Sequence, residues 1–369
     1  MKYRSEIDGL RALAIIPVIL FHADFRAFSG GYVGVDIFFV ISGFLITSII
    51  IDDIKNNSFS VLRFYERRAR RILPALFFVM AICIPFGWMW MQPGQLIDFS
   101  ESLIAVSLFV SNFLFWSESG YFASAAEEKP LLHTWSLAVE EQYYLIFPLF
   151  LILTWRFGRN WVFWMILLIA AASLFYSEWG WRNEKTANFY LAPARVWELL
   201  AGSLVALIIE KKGLRSSNLI SFLGIVAIIL SIIIFDEKTP FPSLYTLLPV
   251  IGVSLVILFG DNKTVVAKLL STDALVKLGL ISYSAYLWHQ PLFAFARVKL
   301  IQQPPIPLMV ALILASFFIA SFSWRFIEQP FRNKNSYFSQ KSIFLFASSG
   351  MITFIVIGVY GLTQNGFPE

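Results

Sequence analysis

The first apolar run of the chain carries two side chains that could take part in catalysis, Arg11 and His22. In an α-helix their separation of eleven positions makes about three turns and a rise of roughly 16 Å, so both side chains project from one face. Ionisable groups at membrane depth normally face the protein interior or a wet cavity. A histidine placed there could act as a general base or a nucleophile, and the alternative is a hydrogen-bonded packing residue.

The second apolar run contains one acid, Asp36. Because a short loop joins the first two runs as antiparallel helices, Asp36 should return near the depth of His22. A hydrogen bond between them would fix the tautomer of the ring and raise its basicity. The alternative is an acid in the headgroup region. Glycines at four positions suit a tight turn and close helix approach: Gly30, Gly31, Gly34 and Gly43.

Five arginines precede the third apolar run: Arg63, Arg67, Arg68, Arg70 and Arg71. Arg67 and Arg70, and likewise Arg68 and Arg71, are three residues apart, so a helix would place each pair on one face. Planar guanidinium forks suit phosphate groups. The alternative is anchoring at the membrane surface, which needs no ligand.

The densest polar patch bordering an apolar run is HTWSLAVEEQYY, residues 133–144. Trp135 and Ser136 are candidates for substrate binding. Glu140 lies one helical turn after Ser136 and shares its face, whereas Glu141 points about 100° away. The two glutamates are candidates for acid–base catalysis or for positioning a substrate, and an aqueous rim is the alternative.

Three later motifs place polar groups inside or beside apolar runs. Arg195 and Glu198 are three residues apart and suit an ion pair within a span. His289 lies late in its run, and Arg325 is predicted to pair with Glu328, three residues later, near a cytoplasmic end. Arg195, Glu198 and His289 are candidates for substrate binding, with ion pairing or packing as the alternative.

The elements that must hold these residues are membrane helices. Hydrophobic residues make up 58% of the 369 and charged residues only 14%, against about 25% charged in soluble domains. Long unbroken apolar runs fit helices rather than the alternating strands of a barrel. The single cysteine, Cys83, cannot form an intrachain disulfide, and no metal-binding motif is visible. The net charge of +5 resides in short loops, which favours a topological role over nucleic-acid binding.

The predicted class is an all-α integral membrane protein of about eleven spans. The segment Leu103 to Trp116 is too short to cross comfortably. Leaving it on one side puts roughly three times as many Lys and Arg residues in the cytoplasm as outside, whereas an extra crossing nearly equalises the two sides. The N-terminus is therefore predicted to be cytoplasmic and the C-terminus periplasmic. The predicted spans are 10–28, 34–51, 73–91, 137–155, 161–176, 190–210, 218–235, 244–260, 279–296, 306–326 and 343–362.

Taken together, the motifs resemble those of the membrane-bound acyltransferase family 3, whose members O-acylate envelope sugars and some small molecules. The resemblance covers most of residues 5–332, in family order. It rests on the strings DGLRALAIIPVILFH, GYVGVDIFFVISGFLI, TWSLAVEEQYY, WELLAG, SYSAYLWHQPL and FIEQPFR, with the arginine run before Pro74.

The resemblance implies a central role for His22 in acyl transfer, with Arg11 and two of the arginines at 67, 68, 70 and 71 contributing to activity. The expected donor is acyl-CoA, most simply acetyl-CoA, used as a substrate with no permanently bound cofactor and no metal. The expected acceptor is an envelope glycan or lipid-linked sugar, such as O-antigen, lipopolysaccharide or peptidoglycan. In this mechanism Glu140 or Glu141 could position the acceptor from the outer side.

The resemblance also implies a bacterial cytoplasmic (inner) membrane location among membrane lipids, and no nucleic-acid partner. Residues 1–335 would form the acyltransferase domain, and 336–369 a further span and the start of an extracytoplasmic linker. That linker could lead to an SGNH-type domain, in cis or as a separate partner. The rival function is a transporter or flippase of an envelope precursor, because buried charges also form proton relays. A non-catalytic membrane scaffold would explain the spans but not the aligned polar groups.

Overall fold

The computed structural model describes residues 3–119, 126–300, 303–333 and 338–367, and these are helical, with no β-strand among them. Seven helices in this part of the chain are long and apolar enough to cross a membrane, so the chain is a multi-pass all-α membrane protein, as its composition predicts. Two shorter apolar helices, Asn218–Ile234 and Leu244–Phe259, accompany them. The seven are Gly31–Lys55, Val61–Trp90, Thr134–Trp155, Arg159–Asn183, Lys185–Lys212, Ile306–Arg332 and Gln340–Thr363.

The chain folds as two compact units. Unit 1 comprises Met1–Phe59 and Val139–Ser282. Its helices are α1 (Ser5–His22), α2 (Gly34–Lys55), α7 (Arg159–Asn183), α8 (Lys185–Tyr190), α9 (Ala192–Lys212), α10 (Asn218–Ile234), α11 (Leu247–Phe259), α12 (Val265–Leu270) and α13 (Asp273–Leu280), with 3₁₀ turns at Arg26–Phe28, Gly31–Val33 and Leu244–Thr246.

Unit 2 comprises Ser60–Ala138 and Tyr283–Glu369. The unit boundaries fall within α6 (Thr134–Trp155) and at the start of α14 (Ser282–Leu300). Its other helices are α3 (Val61–Trp90), α4 (Pro93–Ser107), α5 (Ser111–Ser117), α15 (Ile306–Ser323), α16 (Gln329–Arg332) and α17 (Gln340–Thr363), with a 3₁₀ turn at Ala126–Glu128 and a π segment at Trp324–Glu328.

The segment from Leu103 to Trp116, which is too short for a predicted span, is broken in the structure. Residues 108–110 separate α4 from α5, and Phe109 has a positive φ of 54°. The two helices contain 15 and 7 residues, so neither reaches the roughly 20 residues of a full span.

The last helix, α17, packs inside unit 2. The rings of Phe346 and Phe354 lie 5.5 and 5.4 Å from that of Phe77 on α3. A Cβ on Gly358 would overlap the Ser100 carbonyl oxygen of α4. The span beyond the predicted acyltransferase domain is therefore part of a compact unit, and the predicted boundary at 335/336 lies outside the described residues.

Glycines set the close packing of unit 1, as the sequence predicts. A Cβ on Gly34 would overlap the Ala14 carbonyl oxygen, so the start of α2 lies against α1. A Cβ on Gly43 would overlap the Leu199 carbonyl oxygen, which brings the backbones of α2 and α9 into contact. One turn further along α9, Gly202 lies in the same way against the carbonyl oxygen of Val40.

Candidate active site

His22 is the last residue of α1, not a residue past the middle of a longer span. The predicted span continued to residue 28, but Asp24 adopts a left-handed conformation with φ of 63°. The N–H of Ala23 donates to the Ile19 carbonyl, and that of Phe25 to the Leu20 carbonyl, so the end of the helix is capped. Aspartate tolerates this conformation better than most residues, and the local sequence pattern does not display it.

The ring of His22 is oriented by its own helix. Its Nδ1 lies 2.9 Å from the Val18 carbonyl oxygen. Because a carbonyl only accepts hydrogen bonds, Nδ1 must carry the proton of this bond, and in the neutral ring the lone pair is then on Nε2. The side chain is partly exposed. Nε2 is therefore the atom that can take a proton or attack a carbonyl carbon.

Arg11 has a carboxylate partner that the sequence analysis missed. Its Nη1 lies 3.1 Å from Asp8 Oδ1, three residues earlier on α1. Tyr3 donates to the other Asp8 oxygen at 2.7 Å, and burial together with this carboxylate raises the pKa of Tyr3 to about 12. The tyrosine therefore remains a donor at neutral pH. The i,i+3 spacing of Asp8 and Arg11 was the available signal.

Asp36 does not bond to His22, which corrects the sequence prediction. Its Oδ1 lies 2.9 Å from Nη2 of Arg195, and the same Nη2 lies 3.2 Å from Glu198 Oε2. All three side chains are fully buried. The predicted pair of Arg195 and Glu198 is confirmed, but a third member joins it because the close approach of α2 and α9 brings Asp36 to the same guanidinium.

The guanidinium of Arg195 is also enclosed by aromatic rings. It lies 5.6 Å from the ring centroid of Phe39, 5.9 Å from Phe189 and 5.0 Å from Phe241. The faces of these rings attract a cation, so they complement the two carboxylates. This arrangement is typical of a structural ion cluster.

The two glutamates of α6 lie in unit 1. Glu140 is partly exposed and accepts a hydrogen bond at 2.6 Å from Tyr144, one helical turn later. This bond holds the Glu140 carboxylate in place. Glu141 is partly exposed as well, with one carboxylate oxygen buried. The structure thus leaves Glu140 an accessible acid that is held by a tyrosine.

The polar residues at the start of α6 meet α14 within unit 2. The Ser136 Oγ lies 2.7 Å from the hydroxyl of Tyr286, which itself donates to the His133 carbonyl at 2.7 Å. The Nδ1 of His289 lies 2.6 Å from the Tyr286 carbonyl, and the rings of His133 and His289 are 5.6 Å apart. Trp135, which directly precedes Ser136 in the sequence, is buried. Ser136 and His289 are therefore brought together, through a tyrosine that the sequence analysis did not select.

The arginine run begins a helix, as the spacing suggested. Ser60 caps α3 by accepting the Arg63 N–H, so all five arginines lie on its first three turns. Arg70 is tied into unit 2: its Nε donates to Glu66 at 2.9 Å and its two terminal nitrogens to the Phe331 and Phe338 carbonyls at 3.1 and 2.6 Å. Its guanidinium is therefore already fully engaged.

The other arginines of the run differ from Arg70. Arg68 lies over the Phe64 ring at 6.0 Å, and Arg67 is partly exposed. Arg71 is partly exposed and forms no hydrogen bond or ion pair with the residues that the structure describes, although its charge acts on the nearby Glu328 carboxylate. Arg71, in the Arg68–Arg71 register, therefore has hydrogen-bond donors that no described residue takes up.

The sequence pairing of Arg325 with Glu328 is wrong. Glu328 is buried, accepts from Ser284 and lies 3.4 Å from Nη1 of Arg332. Arg325 is exposed beside the Phe326 ring. Residues 324–328 form a π segment, whose wider turn rotates residues three apart away from each other.

Comparison with known proteins places these features in a family. Residues 4–325 match the acyltransferase domain of family 3. The chain is 31% identical to the peptidoglycan O-acetyltransferase OatA of Listeria monocytogenes, over 98% of this chain and 63% of that protein. It is also 31% identical to the O-acetyltransferase OatA of Staphylococcus aureus, over 90% of this chain and 58% of that protein.

The chain therefore spans about three fifths of the length of these relatives. No solved structure matches it. Because the family match covers most of the chain, including α1 with His22 and the arginine run of α3, this protein belongs to the membrane-bound acyltransferase family 3.

Proposed function

We propose that this protein transfers an acetyl group from acetyl-CoA to a hydroxyl of a cell-wall polysaccharide, with His22 as the reacting residue. Membership of the family and the names of the relatives support the reaction class. The observation that carries the role of His22 is the bond between its Nδ1 and the Val18 carbonyl at 2.9 Å, which presents Nε2 as base or nucleophile. The peptidoglycan relative favours peptidoglycan as the acceptor.

Two routes use the same atom. In the first, Nε2 takes the proton of the acceptor hydroxyl while the hydroxyl oxygen attacks the thioester carbonyl. The CoA thiolate then leaves and receives that proton from Nε2. In the second, Nε2 attacks the thioester, and the CoA thiolate leaves as an Nε2-acetyl-imidazolium forms, because Nδ1 keeps its proton. The acceptor oxygen then attacks this intermediate, gives its proton to the released thiolate and restores the neutral ring.

Arginines of α3 are assigned to the phosphates of the donor. Arg70 already donates to Glu66 and to two carbonyl oxygens, so it has little capacity left for a ligand. Arg68 and Arg71 lie on one face of the same helix, and a guanidinium can hold two phosphate oxygens. This favours the Arg68–Arg71 register over Arg67–Arg70. Arg11, held by Asp8, is assigned a supporting role in donor binding.

The proposed topology has eleven spans in the bacterial cytoplasmic membrane, with the N-terminus in the cytoplasm and the C-terminus outside. It is supported by the distribution of Lys and Arg among the loops. The start of α3 then faces the cytoplasm, where acetyl-CoA is available, and the His22 end of α1 faces outward, toward the wall.

The test replaces His22 with alanine in the full chain and measures transfer of radiolabelled acetyl from acetyl-CoA to a cell-wall oligosaccharide. Transfer should fall at least ~100-fold, because loss of a catalytic base or nucleophile costs about that much or more. The control is Leu20→Ala, on another face of the same helix. Near-normal transfer by the His22→Ala protein would exclude the assignment.

The two routes are separated by omitting the acceptor. Protein that is denatured rapidly at neutral pH, where an acetyl-imidazole survives longer than in acid, and that carries one acetyl group at His22 indicates the covalent route, whereas unmodified protein indicates direct transfer. A protein that relocates a glycan without any acetyl-CoA-dependent label would instead be a flippase.

A further inference from the structure

Unit 1 contains an open pocket of about 290 Å³ beside the end of α1. Four aromatic side chains line it, and all four are partly exposed: Phe21, Tyr32, Phe189 and Phe241. The pocket is at the lower end of the roughly 300–1,000 Å³ of small-ligand sites. None of the candidate catalytic residues of the sequence analysis lines it.

The rings form a connected wall. The ring centroids of Tyr32 and Phe241 lie 4.6 Å apart at an angle of 71°, and those of Phe21 and Tyr32 lie 5.5 Å apart at 70°. The ring of Phe189 lies 6.4 Å from Phe241. In edge contacts of this kind the edge of one ring meets the face of the next, so the rings support one another as a wall.

The rim of the pocket carries acids. The Thr239 hydroxyl donates to Asp236 Oδ1 at 2.9 Å, and with two backbone N–H groups it holds the pKa of Asp236 below its usual range. Glu237 is exposed and forms no hydrogen bond or ion pair with the residues that the structure describes. Both side chains therefore offer carboxylate oxygens that accept hydrogen bonds.

The pocket also adjoins the candidate reacting residue. Phe21 is the neighbour of His22 on α1, and their ring centroids are 5.2 Å apart. Tyr32 sits in the turn that leads into α2, where Gly31 lies directly against the Pro17 carbonyl. The wall of the pocket is thus fixed to the helix that carries His22.

We propose that this pocket binds one pyranose unit of the acceptor polysaccharide, stacked on the aromatic wall at Tyr32 and donating its hydroxyls to Glu237. The C–H face of a pyranose carries partial positive charge and suits the negative face of an aromatic ring. Carboxylates accept from hydroxyls but repel phosphates, so the same pocket disfavours CoA. This inference rests on the proposed function and places acceptor recognition on these rings rather than on Glu140 and Glu141.

The test measures binding and transfer separately on the full chain in lipid nanodiscs, with chitopentaose as the probe. Binding is followed by saturation-transfer NMR without acetyl-CoA, and transfer by radiolabelled acetyl-CoA. Tyr32→Ala should raise both the Kd and the acceptor KM at least tenfold, whereas Tyr32→Phe keeps the ring and should stay within about threefold. Glu237→Gln should raise both constants severalfold.

Phe175→Ala is the matched control, since this aromatic residue is exposed on α7 and does not line the pocket. Tyr32→Ala protein that remains monodisperse but loses binding supports the inference. Unchanged binding and KM in that variant overturn it, even if transfer by the unaltered protein upholds the proposed function. Binding that depends on Tyr32 in a protein without acetyl transfer would support the pocket and contradict the proposed function. Failure of the unaltered protein to bind chitopentaose overturns the inference.

Discussion

Arg195 in unit 1 and Arg71 in unit 2 both lie in helices that border or cross the membrane, yet their surroundings differ. Arg195 is fully buried, with Asp36 and Glu198 at 2.9 and 3.2 Å and three aromatic rings about its guanidinium. Arg71 is partly exposed and forms no ion pair among the described residues. The contrast shows that direct bonds to carboxylates, rather than the apolar context along the chain, separate an arginine that is fixed in the fold from one whose donors remain accessible.

Arg195→Gln is the strongest test of this contrast. Removing the cation leaves two buried carboxylates without their partner, and breaking a buried ion pair typically costs about 3–5 kcal/mol. We expect that loss in the free energy of unfolding in mixed micelles, together with poor accumulation in membranes. Arg195→Lys keeps the positive charge, so its free energy of unfolding should fall by less. An Arg195→Gln protein as stable as the parent would remove the structural role.

Arg70→Gln tests whether the same logic holds inside the arginine run. The variant loses bonds to Glu66 and to two carbonyl oxygens, and hydrogen bonds to charged groups contribute about 1.5–3 kcal/mol. The Arg70 side chain is 15% exposed, so water partly replaces these bonds. We expect a stability loss of about 1–2 kcal/mol, measured by the same unfolding assay. A loss of CoA affinity without any loss of stability would reverse the assignment.

Arg71→Gln should have the smallest effect on the fold. We expect the free energy of unfolding to change by less than about 0.5 kcal/mol, as for most surface substitutions. The Kd for CoA, measured by isothermal titration calorimetry, should rise about tenfold because one phosphate contact is lost. Arg63→Gln is the matched control, since Arg63 is exposed in the first turn of α3. Unchanged CoA affinity would return the run to membrane anchoring.

The sequence allowed prediction of the features that depend on short separations. The i,i+3 pairing of Arg195 with Glu198, the helical arginine run and the close approach at Gly43 all follow from spacing or residue size, and the structure has each of them. Helix type and the apolar runs follow from composition. These features need only local geometry.

Features set by distant parts of the chain were not predictable in the same way. The partner of Asp36 lies 159 residues away, and only the meeting of α2 and α9 selects Arg195 over His22. The hydroxyl of Tyr286 reaches His133 across 153 residues. The end of α1 depends on one left-handed residue, Asp24, which no periodicity reveals.

The contact between α2 and α9 has a consequence for motion during turnover. Three contacts follow one another in the same order along both helices. Asp36 pairs with Arg195, the Gly43 backbone contacts the Leu199 carbonyl, and one turn later Thr47 donates to Ser203 at 2.8 Å. A salt bridge, a backbone contact and a hydroxyl pair thus fix the register of two parallel helices at successive levels. Sliding by even one residue would break all three contacts. Packed helices move past each other only in small shear steps, so these contacts resist such a movement. Any gating that admits a substrate must therefore leave this pair as a rigid frame and use other elements of the chain.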